Sequence, residues 1–154
     1  MRSKAPLALM EQMVMILVFA LAAALCLQAF VLSDRISRQG EARGRAALEC
    51  QTAAETIRSC GGDMGQALSA AAEKLGGSYE QGLLWLDYDQ DWKPIDYDKC
   101  GLEAPMAAYR LAASGVPTQV AGLEKADVWV TDGEGDKPIF QLEIAWQGEV
   151  SAHG

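Results

Sequence analysis

The sequence predicts an α+β fold in which one long N-terminal helix packs on an antiparallel β-meander of four to five strands. Three features support this prediction. One stretch near the N-terminus is almost entirely apolar, helical periodicity continues from it to Cys60, and the hydrophobic pattern changes to a period of two after residues 76–77. We therefore expect four segments: a short cytoplasmic leader-like segment at 1–12, an apolar transmembrane half-helix at 13–32, a soluble half-helix at 33–60, and an extracytoplasmic α+β domain at 61–154.

Composition limits the functions that this chain can have. Its 154 residues include 21 Asp and Glu against 13 Lys and Arg, which gives a formal net charge of −8. Because nucleic-acid binding needs a basic face, we expect no nucleic-acid partner. The single histidine, His153, argues against histidine-based catalytic triads and most histidine-ligated metal sites. We therefore expect no catalytic activity, no cofactor and no metal.

Residues 13–32 have the length of a transmembrane helix. About 20 residues at a rise of ~1.5 Å per residue cover roughly 30 Å, the thickness of the hydrocarbon core of a bilayer. Neither proline nor glycine interrupts this stretch, and Gln28 is its only clearly polar residue. We therefore expect a single-pass protein of the cell membrane, with lipid around this helix.

The orientation follows from the charges before the apolar stretch. Arg2 and Lys4 favour a cytoplasmic N-terminus and a C-terminal domain outside the cytoplasm. A cleaved secretory signal is the competing interpretation, because Ala20, Ala22 and Ala24 offer small residues for a cleavage site. The apolar stretch continues for about eight residues beyond these alanines, whereas a signal peptide ends near its cleavage site. The sequence therefore favours an uncleaved span.

One face of the soluble half-helix consists mostly of small residues and is expected to pack on the sheet. Gly40 and Gly44 each destabilise a helix by about 1 kcal/mol relative to alanine, so we expect any bend to occur there. The glycine pair at 61–62 is expected to end the helix. The small-residue face recurs at spacings of three and four: Ile36, Gly40, Ala47, Cys50, Ala54 and Ile57.

The domain after residue 60 begins with a second predicted helix, which Asp63 caps and the glycines at 76–77 end. Its apolar face is expected to contain Met64, Ala67, Leu68, Ala71 and Leu75. Period-two alternation then predicts five strands. We expect the second strand to pair with the first across an acidic turn, and Pro94 to confine it to an edge. The strands are 82–87, 92–97, 106–113, 126–131 and 138–146, the last two joined by a hairpin loop at 132–136.

The N-terminus resembles that of the type IV pilin and pseudopilin family. Arg2 and Lys4 form a short basic leader, the following apolar stretch begins at Leu7, and Glu11 is its fifth residue. The resemblance implies that a peptidase cuts between Pro6 and Leu7, and that Glu11 pairs with the N-terminal amine of a neighbouring subunit. It also implies a non-enzymatic subunit of a type IV filament or a type II secretion-type system, anchored in the membrane before assembly. The implied partners are sibling pilin-like subunits and assembly machinery.

Two departures from the family pattern indicate a minor or atypical member. Pro6 occupies the position where the family has glycine, and proline there opposes cleavage. The proline that kinks the helix in this family is also absent, since no proline lies between Pro6 and Pro94. Two alternatives stay open. Glu11 marks only the water-facing start of the span, or the chain is a stand-alone single-pass protein with an extracytoplasmic binding domain.

Three cysteines outside the span allow a disulfide in an oxidising compartment. A bond between Cys60 and Cys100 would join the end of the long helix to the loop before the third strand. A bond between Cys50 and Cys100 is the rival pairing, and three buried or reduced thiols are the third alternative.

The acidic residues Asp87, Asp89 and Asp91 alternate as ligands do in a calcium loop. Such a loop needs glycine at its sixth position and glutamate at its twelfth, where this chain has Trp92 and Asp98. We therefore expect a solvated acidic turn rather than a calcium site.

Overall fold

A computed structural model describes residues 5–97, 106–133 and 137–148, with side chains from residue 9 onward. The α+β fold expected from the sequence is confirmed. The elements, in chain order, are helices α1 (Ala5–Cys60) and α2 (Met64–Leu75) and strands β1 (Ser78–Glu80), β2 (Leu83–Tyr88), β3 (Tyr109–Val116), β4 (Leu123–Asp132) and β5 (Pro138–Gln147).

The five strands form one antiparallel sheet in which each strand pairs with the next along the chain. This is the meander that the alternation predicts. Side chains on opposite faces alternate along each strand, so one face contributes to the core with the helices and the other lies away from them. The core face carries Leu84, Leu86, Leu111, Ala113, Val128, Val130, Ile144 and Trp146.

Helix α1 is 56 residues long and ends where the glycines predict, with Gly61 and Gly62 at φ +61° and +79°. The chain divides into two compact units, Met1–Glu41 and Ala42–Gly154. In the second unit, α1 side chains that are small except for Ile57 lie in the core with the sheet. They are Ala46, Cys50, Ala53, Ala54 and Ile57.

This buried set confirms part of the predicted small-residue face and corrects the rest. Cys50, Ala54 and Ile57 are buried as expected. The prediction is wrong for Ile36 and Gly40, which are exposed. It also omitted Ala46 and Ala53, whose spacing from Cys50 and Ile57 is that of a helix face. An alanine pattern is weak evidence of burial because alanine favours helices wherever it lies.

Helix α2 begins and ends at the residues expected. The Asp63 carboxylate accepts a 2.8 Å hydrogen bond from the amide of Gln66, which satisfies one of the free N–H groups of the first turn. Gly76 adopts the left-handed conformation at the C-cap, at φ +73°. Ala67, Leu68 and Ala71 are buried against the sheet, while Met64 and Leu75 lie at the border of the core.

A short strand, β1, precedes the first strand that the sequence predicts. It forms a hairpin with β2 through Gln81 and Gly82, whose φ angles are +51° and +83°. Two successive residues at positive φ define the tight turn whose twist matches that of a two-stranded ribbon. The three residues of β1 are too few to show alternation, and glutamine is an uncommon first residue of such a turn. This hairpin was therefore not among the predicted elements.

The prediction that 92–97 forms a strand beside β2 is wrong. Both neighbours of β2 are regular strands, β1 and β3, and the segment meets β2 only through an isolated bridge between Tyr88 and Pro94. Pro94 lacks an N–H, and Trp92 has φ +61°, so the backbone leaves the extended conformation. Two hydrogen bonds form this bridge, from the amide of Ile95 to the carbonyl of Asp87 at 2.8 Å and from the amide of Asp89 to the carbonyl of Lys93 at 3.0 Å.

The remaining strands were predicted with displaced ends. Residues 106–108, expected to open the third strand, precede it, and β3 continues to Val116. Strand β4 is longer than 126–131 at both ends, and β5 extends one residue beyond 146. The connection between β4 and β5 lies where the hairpin loop was expected, although residues 134–136 fall outside the described part of the chain.

Candidate functional site

The apolar part of α1 exposes its hydrophobic side chains around the whole helix. Every described residue from 9 to 32 is exposed, and Phe19 and Phe30 are among the most open at 76% and 74%. This pattern differs from that of a core helix, which buries one stripe of side chains. Within the described residues, α1 is the one helix long and apolar enough to cross a membrane.

The residues that the family resemblance singles out lie at the start of this helix. Glu11 is exposed, with its carboxylate in no ion pair among the described residues. Pro6 and Leu7 belong to the first turn of α1, where proline is tolerated because its missing N–H has no helical partner. Their side chains, and residues 1–4, lie outside the described part. Processing at Pro6–Leu7 and the pairing of Glu11 both stay predictions.

Polar contacts join the second half of α1 and its C-terminal end to the sheet. The Tyr88 hydroxyl donates a 2.9 Å hydrogen bond to a carboxylate oxygen of Glu49. Near the other end of the helix, the indole Nε1 of Trp146 donates a 3.2 Å bond to the carbonyl of Gly62. Burial, together with the Glu49 charge, raises the pKa of Tyr88 above its usual range. These contacts fix the position of the helix along the sheet.

A charged cluster lies on the sheet face opposite the core. Asp87 on β2 stands directly across from Arg110 on β3, and its side chain is only 2% exposed. Arg110 donates from Nε to Oδ1 at 2.6 Å and from Nη2 to Oδ2 at 2.8 Å, while the Tyr97 hydroxyl donates to Oδ2 at 2.9 Å. Burial alone raises the pKa of Asp87, but these hydrogen bonds and the Arg110 charge together hold it below its usual value.

Sequence reasoning placed Asp87 in an acidic turn and did not connect it with Arg110. A partner for Asp87 across the strands could have been sought once the register was known, but a one-residue shift moves a side chain to the opposite face. The sequence alone does not fix the register of β2 against β3 because no short loop joins them. The hydrogen bond from Tyr97 to Asp87 was likewise not predicted, since Tyr97 was assigned to a strand.

Asp87, Asp89 and Asp91 do not converge, and the expected solvated acidic turn is wrong for Asp87, which is buried. Asp87 points to Arg110, whereas the Oδ1 of Asp89 accepts hydrogen bonds from the amides of Asp91 and Lys93 at 2.8 and 2.9 Å. Asp89 therefore closes its own turn. Among the described residues, no group of three potential metal ligands comes together.

The described cysteines form no disulfide with one another and lie in different environments. Cys26 is exposed on the apolar part of α1, Cys60 is partly buried, and Cys50 is fully buried with its sulfur 3.9 Å from the carbonyl oxygen of Val128. Burial, with a smaller contribution from the Glu49 charge, raises the pKa of Cys50 to about 12, so its thiol stays protonated and unreactive. Cys100 lies outside the described residues, so both predicted pairings, with Cys60 and with Cys50, stay predictions.

Comparison with known proteins adds no relative to this description. No protein-family model, no curated protein and no solved structure matches the chain. The arguments about function therefore rest on the residues themselves.

Proposed function

We propose that this chain is a pilin-like subunit, anchored in the cell membrane by residues 13–32 until it joins a type IV filament or a type II secretion-type assembly. The observation that carries the proposal is the division of α1 into two surfaces. Its first half is apolar and exposed on all sides, whereas residues 46–57 bury one face in the core with an antiparallel sheet. A helix of this kind can contact lipid before assembly and other helices afterwards.

The N-terminal residues support the same proposal. The stretch from Leu7 to Glu11 has the spacing of the pilin-type N-terminus, and Glu11 opens the apolar surface. A carboxylate is costly to bury in a bilayer unless it is paired, so a neighbour's amino terminus would stabilise it once the subunits associate. In this proposal the N-terminus is cytoplasmic, the domain lies outside the cytoplasm, and no catalytic reaction is performed.

The proposal is tested by mass spectrometry of the full chain extracted from membranes of its native host. We expect the mature chain to begin at Leu7, and methylation of the Leu7 amine would support the proposal further. The variant Pro6→Gly is the matched comparison, because it restores the residue usual at this position in the family. We expect Pro6→Gly to raise the processed fraction. An intact Met1 in both proteins would contradict processing.

The second candidate is a stand-alone single-pass protein with an extracytoplasmic binding domain. The observation that favours it is Pro6, which opposes cleavage and therefore the release of an amine for Glu11. This candidate predicts that Glu11→Gln leaves association in the membrane unchanged. The pilin-like proposal predicts a loss of association with membrane retention intact.

A further inference from the structure

Two arginines stand unpaired near the beginning of the second compact unit. Arg43 and Arg45, here called the arginine pair, are exposed and form no ion pair among the described residues. Gly44 lies between them, with no heavy atom within 4 Å of the place where a Cβ would lie. No contact within the described chain therefore requires glycine here. The bare backbone leaves room for another molecule to approach the arginines.

An open cleft at one end of the sheet has the opposite charge. Two adjoining cavities of about 340 and 280 Å³ share Gln90 and Met106. Asp89 and Asp91 line the first cavity and Asp132 lines the second, and we call the whole the acidic cleft. Asp132 forms no ion pair among the described residues, and Asp91 reaches only Lys93, at 3.9 Å.

The composition of the acidic cleft suits arginine. Met106 is 87% exposed and gives the cleft an apolar surface between its carboxylates. An arginine side chain has an apolar stem that packs on such a surface and a guanidinium that binds carboxylates through paired hydrogen bonds. Residues 61–154 contain sixteen acidic and six basic residues, so two copies repel each other in general and the arginine pair is the local cation that offsets this repulsion at the cleft.

We propose that the arginine pair of one copy docks in the acidic cleft of a second copy. The inference rests on the proposed function, because it supplies a contact between subunits outside the membrane. The two surfaces differ, so the contact is head-to-tail, and contacts of this kind extend into open helical arrays when the rotation does not close a ring. Such geometry is what a filament needs.

Anionic lipid is the competing occupant for the arginines, and distance argues against it. Arg43 and Arg45 lie eleven and thirteen residues beyond Leu32. At ~1.5 Å per residue this is roughly 16 to 20 Å of helix. The headgroup layer adds only about 5 to 7 Å to each side of the hydrocarbon core. A helix of this length carries both arginines beyond the headgroup layer.

The test is charge-swap complementation with two differently tagged full-length copies expressed together in native membranes. One variant carries Arg43→Glu and Arg45→Glu. The other carries Asp91→Lys and Asp132→Lys, and it leaves Asp89 intact because that carboxylate holds the turn. When both tagged copies carry the same variant, we expect the capture of one copy by the other to fall roughly tenfold, given two exposed charge pairs. Expressing one copy of each variant should restore capture, because the intact arginine pair of the aspartate variant then meets the intact acidic cleft of the arginine variant, and glutamate meets lysine at the reverse contact.

Control variants carry the same change in net charge at other exposed positions. Arg58→Glu with Lys74→Glu matches the arginine variant, and Glu73→Lys with Glu80→Lys matches the aspartate variant. We expect both controls to keep the wild-type capture. An unchanged tryptophan emission spectrum verifies folding in every variant.

The inference would be overturned by unchanged capture in the swap variants, by equal losses in the controls, or by no recovery when the swap variants are combined. The inference would also be overturned if capture depended on the content of anionic lipid and not on the charges of the acidic cleft. Failure of the proposed function is distinguishable, because wild-type copies would then not be captured at all. If wild-type copies are captured and the swaps have no effect, only the docking inference fails.

Discussion

Arg110 and Asp87 face each other across strands β3 and β2, and the guanidinium binds the carboxylate through two hydrogen bonds of 2.6 and 2.8 Å. The Asp87 side chain is 2% exposed, while that of Arg110 is 54% exposed. The pair therefore consists of a buried anion and a cation that keeps contact with water. Because an unpaired buried charge is costly, this arrangement makes Asp87 depend on Arg110.

Arg110→Met should destabilise the domain, because it leaves the Asp87 carboxylate buried with only the Tyr97 hydroxyl. We expect a loss of about 2 to 3 kcal/mol in the free energy of unfolding. The measurement is urea unfolding of the full chain in detergent, monitored by tryptophan fluorescence. All four tryptophans lie in residues 61–154, so the signal reports this domain.

The matched control is Lys125→Met, which removes another cross-strand pair on the same sheet. Lys125 contacts Glu143 at 3.0 Å, but both side chains are substantially exposed. We expect a loss below about 1 kcal/mol. Equal losses in the two variants would contradict the special role given to the buried pair.

Acid should remove the contribution of Asp87. Its pKa is lower in the folded chain than the ordinary value of 3.8, so its stabilisation is fully present above about pH 4. It is lost as the pH falls through the lowered folded pKa. We therefore expect wild type to be more stable than Asp87→Asn at pH 6, and the difference to shrink towards pH 2. A difference that stays constant over this range would contradict the pKa shift.

The hydrogen bond between Tyr88 and Glu49 should contribute to the attachment of α1 to the sheet. Tyr88→Phe removes the donor, and we expect it to lower the free energy of unfolding by about 1 to 2 kcal/mol. Tyr109→Phe is the control, since the ring of Tyr109 stacks on Trp92 at 4.0 Å and its hydroxyl has no partner among the described residues. An equal loss in both variants would contradict a specific contribution of the hydrogen bond to Glu49, because it would follow from removing either hydroxyl.

Arginines in the apolar part of α1 should release the protein from membranes. Leu21 and Leu25 lie near the middle of 13–32, where each arginine costs about 2.5 to 3.5 kcal/mol on insertion. We expect the variant Leu21→Arg with Leu25→Arg to be extracted by alkaline carbonate. The control, Ile36→Arg with Leu48→Arg, changes two residues of similar exposure outside the span. Retention of the first variant would contradict the proposed anchor.

The features predicted correctly from the sequence are those that local periodicity determines. The long helix, the cap at Asp63 and the strands β4 and β5 each have a clear period or a recognisable end residue. The segment 92–97 was misassigned because Trp92, Ile95 and Tyr97 are residue types common in strands, while Pro94 and the left-handed Trp92 prevent regular pairing. Residue preferences of this kind carry no information about the backbone angles at one position.

The charged cluster could not be predicted for a different reason. Asp87 and Arg110 are 23 residues apart, and their contact depends on the register of two strands that no tight turn connects. The predicted roles of Glu11, Pro6 and Leu7 concern contacts with other molecules. Experiments with the assembled protein are therefore what test these roles.

The central claim is that the apolar half of α1 associates with similar helices. Its most direct test is a photoreactive phenylalanine analogue in place of Phe19, which is 76% exposed on this surface, in native membranes. We predict protein adducts, either to a second copy of the chain or to another short protein with an apolar N-terminal helix. Adducts to lipid alone, at normal expression, would contradict the claim.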